Sequence, residues 1–83
     1  MNLNVVYFAW LRERIGEPSE MIETTAGTVN ELVSELRARD DRYALAFSDL
    51  SAVRVAVDQV LTDFDAPLSG ASEVAFFPPM TGG

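Results

Sequence analysis

The sequence predicts a single α+β domain in which a mixed β-sheet packs against one main helix. Three observations lead to this fold class. The chain has 83 residues, of which 48% are hydrophobic, and this suits one core of ordinary composition. The apolar patterns follow the order strand, strand, helix, strand, strand, strand. The helical pattern has a single apolar stripe, so the helix packs on one face of a sheet.

The first strand is predicted over residues 3–10, where apolar side chains occupy both alternating faces. One face would carry Leu3, Val5, Tyr7 and Ala9, and the other Val6, Phe8 and Trp10. A strand of this kind is central in a layered fold, or it turns one face toward a partner. We therefore expect Phe8 or Trp10 on an exposed apolar patch, unless a short segment covers them.

Two shorter elements follow. Residues 11–15 read as a helical turn, and Gly16 is placed to end it in a left-handed conformation. Apolar and polar residues alternate only weakly over residues 20–24, which predicts a strand at a sheet edge.

The main helix begins at a capping box. Thr28 is the predicted N-cap and Glu31 stands three residues later, the spacing at which each side chain satisfies a backbone N–H. The apolar stripe then consists of Val29, Leu32, Val33 and Leu36. A second short helix is predicted over residues 40–47, with Tyr43, Ala44 and Phe47 facing inward.

The last third of the chain contains three strand patterns. Residues 53–58 alternate cleanly, Asp58 and Gln59 form a tight turn, and residues 60–64 lead back. A loop over residues 67–70 precedes the final strand at Glu73–Phe77. This order matches a β-grasp arrangement, in which a mixed sheet wraps one helix and the first and last strands are parallel neighbours.

The chain ends in an extended segment. Two prolines at 78 and 79 hold the backbone extended and cannot continue a sheet ladder. Gly82 and Gly83 have no Cβ, so another molecule can approach the backbone closely. We therefore expect a domain over residues 1–77 and a tail over residues 78–83 whose carboxylate a second protein can reach. A frayed terminus or a remnant of an expression tag is the alternative.

The composition argues against several function classes. The net charge is −7, all six cations are arginines, and the chain has no histidine, cysteine or lysine. This charge repels nucleic acid and anionic membrane surfaces. The commonest general base and the thiolate nucleophile are missing, so we expect no metal site, no bound cofactor and no self-sufficient enzyme. Residues 1–4 lack the basic region of a signal peptide, which favours a cytoplasmic protein.

Three segments carry a resemblance to a known family. They are residues 7–16 (Tyr-Phe-Ala, then Leu-Arg-Glu-Arg and a glycine), residues 55–59 (Val-Ala-Val-Asp-Gln) and residues 73–83, where an apolar strand runs into two prolines and a terminal diglycine. With these motifs the chain resembles the small, sulfur-carrying subunit of molybdopterin synthase, a ubiquitin-like β-grasp protein. Length and spacing agree over essentially the whole chain.

The resemblance implies a mechanism. A ubiquitin-activating-type adenylyltransferase would use ATP to adenylate Gly83, and a sulfurtransferase would supply the sulfur that converts it to a thiocarboxylate. The tail would then enter the large subunit of molybdopterin synthase, which holds the catalytic side chains. There the sulfur would pass to cyclic pyranopterin monophosphate and form half of the dithiolene that binds molybdenum. Complexes in the family typically contain two small and two large subunits.

The same resemblance assigns roles to individual residues. Gly83 would react, Gly82 would keep the tail thin, and the tail residues lining the tunnel or directing the tail would be Thr81, Met80, Pro79 and Pro78. Phe76 and Phe77 point to opposite faces, so one belongs to the core and the other, which we assign as Phe77, contacts the partner. Phe8 and Arg12 are the further candidates for that interface, and a solvated arginine is the alternative for Arg12.

Three other functions stay open at this stage. The chain could be a carrier of the thiamine-pathway type, although that family is shorter and lacks the Phe-Phe-Pro-Pro stem. It could be a ubiquitin-like protein modifier that conjugates to lysines of its targets, or a binding domain with an inert tail.

Overall fold

The computed structural model describes residues 1–79 of the chain, and the predictions made for Met80, Thr81, Gly82 and Gly83 lie outside the described residues. The strands are β1 (Asn2–Tyr7), β2 (Ser19–Glu23), β3 (Arg54–Val57), β4 (Val60–Thr62) and β5 (Glu73–Phe77). The helices are α1 (Ala9–Ile15), α2 (Val29–Arg39) and α3 (Asp41–Ala46), with a 3₁₀ turn at Leu50–Ala52. The α+β class predicted from the sequence is confirmed.

The five strands form one mixed sheet in the order β2-β1-β5-β3-β4. β1 and β5 run parallel, whereas the pairs β1–β2, β3–β5 and β3–β4 are antiparallel. The first and last strands are therefore parallel neighbours, as predicted, and β5 lies at the centre. β2 is an edge strand, which also agrees with its weak alternation.

The helices and the inner face of the sheet share the core. The inner-face residues Val5, Val55 and Phe76 are fully buried and belong to one cluster with Leu32 and Leu36 of α2. Full burial of such aliphatic and aromatic side chains contributes about 1.5–3 kcal/mol each. Aromatic rings fill the centre of this layer, and their centroids are 4.9 Å apart for Phe47–Phe76 and 6.3 Å apart for Tyr7–Phe76.

The start of α2 follows the predicted capping pattern. The Glu31 N–H donates to the Thr28 hydroxyl oxygen at 3.2 Å, which satisfies one of the donors left open at a helix start. The Glu31 carboxylate in turn accepts from the Gly27 N–H at 3.1 Å, one residue earlier than in a standard capping box. Tyr43 of α3 and Phe47, its C-cap residue, are buried as predicted. Ala44 is only half-buried, and Ala46 faces the core in its place.

The predicted extent of the first strand is wrong at its end. β1 stops at Tyr7, and α1 already includes Ala9 and Trp10. Ala9 has a φ of 54°, an uncommon conformation for a residue with a Cβ, and the chain turns there from the sheet into the helix. The predicted end of α1 is correct, because Gly16 adopts a left-handed conformation and its N–H donates to the Arg12 carbonyl oxygen at 2.8 Å.

The predicted turn between β3 and β4 is confirmed. Asp58 and Gln59 have φ values of 48° and 69°, the positive values that a two-residue hairpin turn requires. The Asp58 carboxylate also accepts from the N–H groups of Ser72 and Glu73, at 2.9 and 3.0 Å. This turn therefore holds the start of β5 in place.

None of the helices within residues 1–79 is both long and apolar enough to span a membrane.

Candidate functional site

The outer face of the sheet, opposite the helices, carries an unbroken apolar row. Val6 of β1 pairs with Ala75 of β5, which pairs with Ala56 of β3. Residues directly opposite each other in neighbouring strands point to the same side of a sheet. The row therefore crosses the three middle strands on the side that the helices leave open.

The row continues into β4 through Leu61, which pairs with Ala56 and is 68% exposed. Leu61 was not among the interface residues predicted from the sequence. The sequence nevertheless contained the information, because a two-residue turn at Asp58 and Gln59 places Leu61 directly opposite Ala56.

An open groove of about 810 Å³ lies over this row. Its floor is formed by small side chains, Ala56 and Ala75, which leave room between larger neighbours. Phe8, which is 48% exposed, and the half-buried Phe77 line it as well. We call this feature the outer groove. An exposed apolar concavity of this kind is typical of a surface that binds another molecule.

The tail begins at one end of the outer groove. Pro78 and Pro79 line the groove together with Phe77, the last residue of β5. β5 is held by β1 on one side and by β3 on the other. Because two ladders fix this strand, the position and starting direction of the tail are set by the centre of the sheet.

The two ends of the outer face differ in charge, with Arg54 placed beside the groove and not in its lining. Arg54 pairs with Phe77 at the tail end, and its Nη1 donates to the carbonyl oxygens of Ser51 and Val53 at 3.1 Å each. Glu73 lines the groove at the opposite end, next to the Asp58 turn. The outer face thus has a cationic end and an anionic end, separated by the apolar row.

The other predicted interface residues lie elsewhere. Arg12 is exposed on α1 and does not line the outer groove. Trp10 is half-buried, packs against the core and carries the Arg14 guanidinium 4.7 Å from its ring centroid. Of the two aromatic residues expected on an exposed patch, Phe8 is there and Trp10 is not, since Trp10 belongs to a helix that turns toward the core.

A polar cluster away from the groove ties β2 to the rest of the domain. Glu20 accepts hydrogen bonds from the hydroxyls of Tyr7 and Tyr43, at 2.8 and 2.5 Å. Burial, followed by these bonds to a carboxylate, raises the pKa of both tyrosines above their ordinary value. The cluster keeps the hydroxyls protonated and holds the edge strand against β1 and α3.

Within residues 1–79, no three carboxylates lie close enough together to hold a metal ion. The side chains around the outer groove are mainly apolar, so the described part of the site is suited to binding.

Solved structures place the fold in a known class. SAMP1 from Haloferax volcanii matches with a TM-score of 0.74 and 18% identity, over 100% of both chains. A Pyrococcus furiosus structure, reported under the name of a molybdopterin converting factor subunit 1, also matches with a TM-score of 0.74. It is 25% identical over 96% of this chain and 99% of that one. The fold is that of the ubiquitin-like β-grasp proteins.

Sequence comparison gives the family. The model of the ThiS family matches residues 5–83. A molybdopterin synthase sulfur carrier subunit of Escherichia coli strain K12 is 42% identical over 98% of this chain and 99% of its own length. The protein of the same name in Haemophilus influenzae is 36% identical over the same shares of the two chains. The chain belongs to the ThiS family. The resemblance to the small subunit of molybdopterin synthase, read from its motifs, is confirmed by these relatives.

Proposed function

We propose that this chain is the sulfur carrier subunit of a molybdopterin synthase. The observation that carries the proposal is its 42% identity, over nearly the full length, to a relative of that name. The family match also extends through Gly83, the residue to which the chemistry is assigned. The position of the tail root beside an apolar groove supports the same function, because a carrier must bring its reactive end to a partner.

The chemistry takes place at the carboxylate of Gly83. A carboxylate is a poor acyl donor, and adenylation by ATP on a ubiquitin-activating-type adenylyltransferase gives it AMP as a leaving group. Sulfide-level sulfur from a sulfurtransferase then attacks the acyl carbon, AMP leaves with one of the original carboxylate oxygens, and a thiocarboxylate remains. The chain itself has no cysteine, so sulfur carried in this way sits on the main chain.

The outer groove is the docking surface for the large subunit. Phe77 and Phe8 are the aromatic anchors, with Leu61 beside them on the same face. Pro78 and Pro79 set the direction of the tail, and Met80, Thr81 and Gly82 line the tunnel of the large subunit. Arg12 contacts the large subunit from α1, outside the groove. The domain over residues 1–77 thus positions a tail over residues 78–83.

The large subunit supplies the catalytic side chains, and this chain supplies the sulfur. The acceptor is cyclic pyranopterin monophosphate, and the product is one half of the dithiolene of molybdopterin. The acidic carrier, with its net charge of −7, suits a partner that is basic enough to hold a phosphorylated pterin. Two carriers and two large subunits form the synthase, and the carrier binds no cofactor of its own.

Intact mass spectrometry tests the proposal. The full chain is incubated with an activating enzyme, ATP and a sulfur source, and exchange of one oxygen for sulfur raises its mass by about 16 units. Variants without Gly83, or with one residue added after it, are the matched controls. We expect these variants to keep the fold, because residues 1–77 form the proposed domain, and to give no active carrier. An unchanged mass of the wild-type chain would exclude a sulfur carrier.

The molecule that receives the sulfur, or the activated chain itself, distinguishes this function from its alternatives. A thiocarboxylate that yields molybdopterin with the large subunit supports the proposal. A thiocarboxylate that yields no pterin product but feeds thiazole synthesis points to a carrier of the thiamine-pathway type. Conjugates with lysines of other proteins point to a protein modifier.

A further inference from the structure

We propose that the outer face is self-complementary, and that two copies of this chain form a weak two-fold dimer through it. The dimer itself does not depend on the function proposed above. Its consequence, that self-association withholds the docking surface from the large subunit, rests on that function.

The charges on the outer face are arranged so that two copies can complement each other. Arg54 and Phe77 form one end, and Glu73 and the Asp58 turn form the other. In the proposed dimer the two outer faces meet, and the two-fold axis lies between them along the apolar row, across the strands. This axis places each strand over the same strand of the other copy, running in the opposite direction. Arg54 of each copy then lies over the end of the other copy that carries Glu73 and Asp58. The symmetry thus creates the charge contact twice, as an isologous interface requires.

Arg54 can make this contact without giving up its present bonds. Its Nη1 is used by the carbonyl oxygens of Ser51 and Val53, and a guanidinium has five N–H donors. Glu73 lines the groove and is half-buried, so its carboxylate stands at the edge of the apolar surface. An ion pair formed there is partly shielded from water, which strengthens it compared with one on an open surface.

The shape and the apolar character of the surface between the charged ends also favour the dimer. The middle row has small side chains on the central strands, Ala75 and Ala56, with the exposed Leu61 at its side. Two such sheets can approach face to face at the usual separation of about 10 Å, with the Leu61 side chains of the two copies in contact beside the alanines. Burial of this row removes exposed apolar surface that a soluble domain otherwise leaves in water.

The area of the face sets the strength of the dimer. Five strands at their usual spacing and about five residues of length give a face of about 24 by 17 Å. The area enclosed by these two lengths is less than the roughly 800 Å² that each partner buries in a standard stable interface. The net charge of −7 on each copy also opposes association. We therefore expect a dissociation constant of about tens to hundreds of micromolar for the dimer, which is typical of weak contacts.

Such a dimer covers the root of the tail. Phe77, Pro78 and Pro79 line the same groove, so a second copy on this face occupies the site of any other partner. The large subunit and the second copy would exclude each other, and a stronger partner would dissociate the dimer as it binds.

Sedimentation equilibrium of the full chain, from about 1 µM to about 1 mM, tests the dimer. We expect the average mass to rise from that of one chain toward that of two. R54E and E73R should each weaken the dimer about tenfold or more, since each places like charges together twice. The double variant R54E/E73R should return to within about threefold of the wild type, because the opposite charges meet again. Circular dichroism confirms that each variant folds.

Controls separate the proposed face from other contacts. Phe77→Asp should abolish the dimer, whereas Leu45→Asp should leave it unchanged, because Leu45 is 61% exposed on α3, on the helical side. In the wild-type chain, dilution should shift the amide resonances of Val6, Ala56 and Ala75 and leave those of α3 in place. This last measurement needs no variant.

Three results would overturn the proposal. One is a single-chain mass at every concentration. Another is a double variant as weak as the single ones. The third is a set of dilution shifts confined to residues outside the outer face. Failure of sulfur loading would leave the dimer untouched, so the two proposals fail separately.

Discussion

The Phe8 N–H donates to the Phe76 carbonyl oxygen at 3.0 Å, one residue beyond the end of β1. This bond continues the parallel pairing of β1 with β5 as far as Phe76, the residue before the last one of β5. It fixes the backbone of Phe8 against that of Phe76, and it brings the side chains of Phe8 and Phe77 to the same end of the outer groove. The outer groove and the root of the tail at Pro78 and Pro79 therefore belong to one arrangement at the centre of the sheet.

Phe77→Ala should weaken the complex with the large subunit. An aromatic anchor next to a groove with a small-residue floor often accounts for about 2 kcal/mol or more of binding, which corresponds to about thirtyfold in the dissociation constant. Isothermal titration calorimetry measures it. Leu45→Ala is the matched control, since Leu45 is an exposed apolar residue of α3. An unchanged dissociation constant for Phe77→Ala would move the interface away from the outer groove.

Leu36→Ala should destabilise the domain by about 2–5 kcal/mol, because it leaves a cavity beneath the sheet. Leu36 is 1% exposed and lies in the apolar stripe of α2. Urea denaturation gives the free energy of unfolding. Met21→Ala, at a position that is 67% exposed on β2, should cost less than about 0.5 kcal/mol. Equal losses for the two variants would contradict the assignment of the core.

Tyr7→Phe should change how stability depends on alkaline pH. Burial and the bond to Glu20 raise the pKa of Tyr7 in the folded chain above its ordinary value of 10.0. Below that pH the tyrosine is protonated in both the folded and the unfolded chain, so its contribution to the free energy of unfolding is fully present. Above it the unfolded chain loses the proton and the folded chain keeps it, so stability falls as pH rises.

The Tyr7→Phe variant should therefore lose less stability than the wild type between about pH 10 and pH 12. At pH 7 it should be less stable by about 1 kcal/mol, because the hydrogen bond to Glu20 is gone. Thermal unfolding across this pH range measures both effects. Parallel curves for the two proteins would show that Tyr7 does not hold its proton as described.

Asp58→Ala should cost about 1–3 kcal/mol, because it leaves the N–H groups of Ser72 and Glu73 without their acceptor and puts alanine at a positive φ. Asp58→Asn is the matched control. It keeps an acceptor oxygen and tolerates this backbone conformation, so its stability should stay within about 0.5 kcal/mol of the wild type. Chemical denaturation compares them, and similar losses would show that the side-chain bonds do not stabilise the turn.

Local signals with a defined geometry predicted most of the fold. Thr28 and Glu31 cap α2, Gly16 ends α1, and Asp58 with Gln59 makes the hairpin turn. Each of these depends on a few neighbouring residues, so the sequence alone specifies them. The final strand has the bounds that its alternation predicts, Glu73–Phe77.

The start of α1 could not be predicted in the same way. Phe8 is its N-cap residue and makes no side-chain capping bond, so the usual Ser, Thr, Asp or Asn signal is absent. The apolar alternation continues through Trp10, and only tertiary packing decides that Leu11 and Ile15 turn into the core. Leu61 was missed for another reason, since its importance comes from the cross-strand pairing with Ala56 and not from its own neighbours in sequence.

The most direct measurement follows one sulfur atom from the carrier to the pterin. The thiocarboxylated chain is mixed with the large subunit and cyclic pyranopterin monophosphate, and its intact mass is recorded while the product is quantified. We expect the carrier to lose about 16 mass units, as sulfur is replaced by oxygen at Gly83, in proportion to the sulfur gained by the pterin. A pterin product that forms while the carrier keeps its sulfur would contradict this expectation.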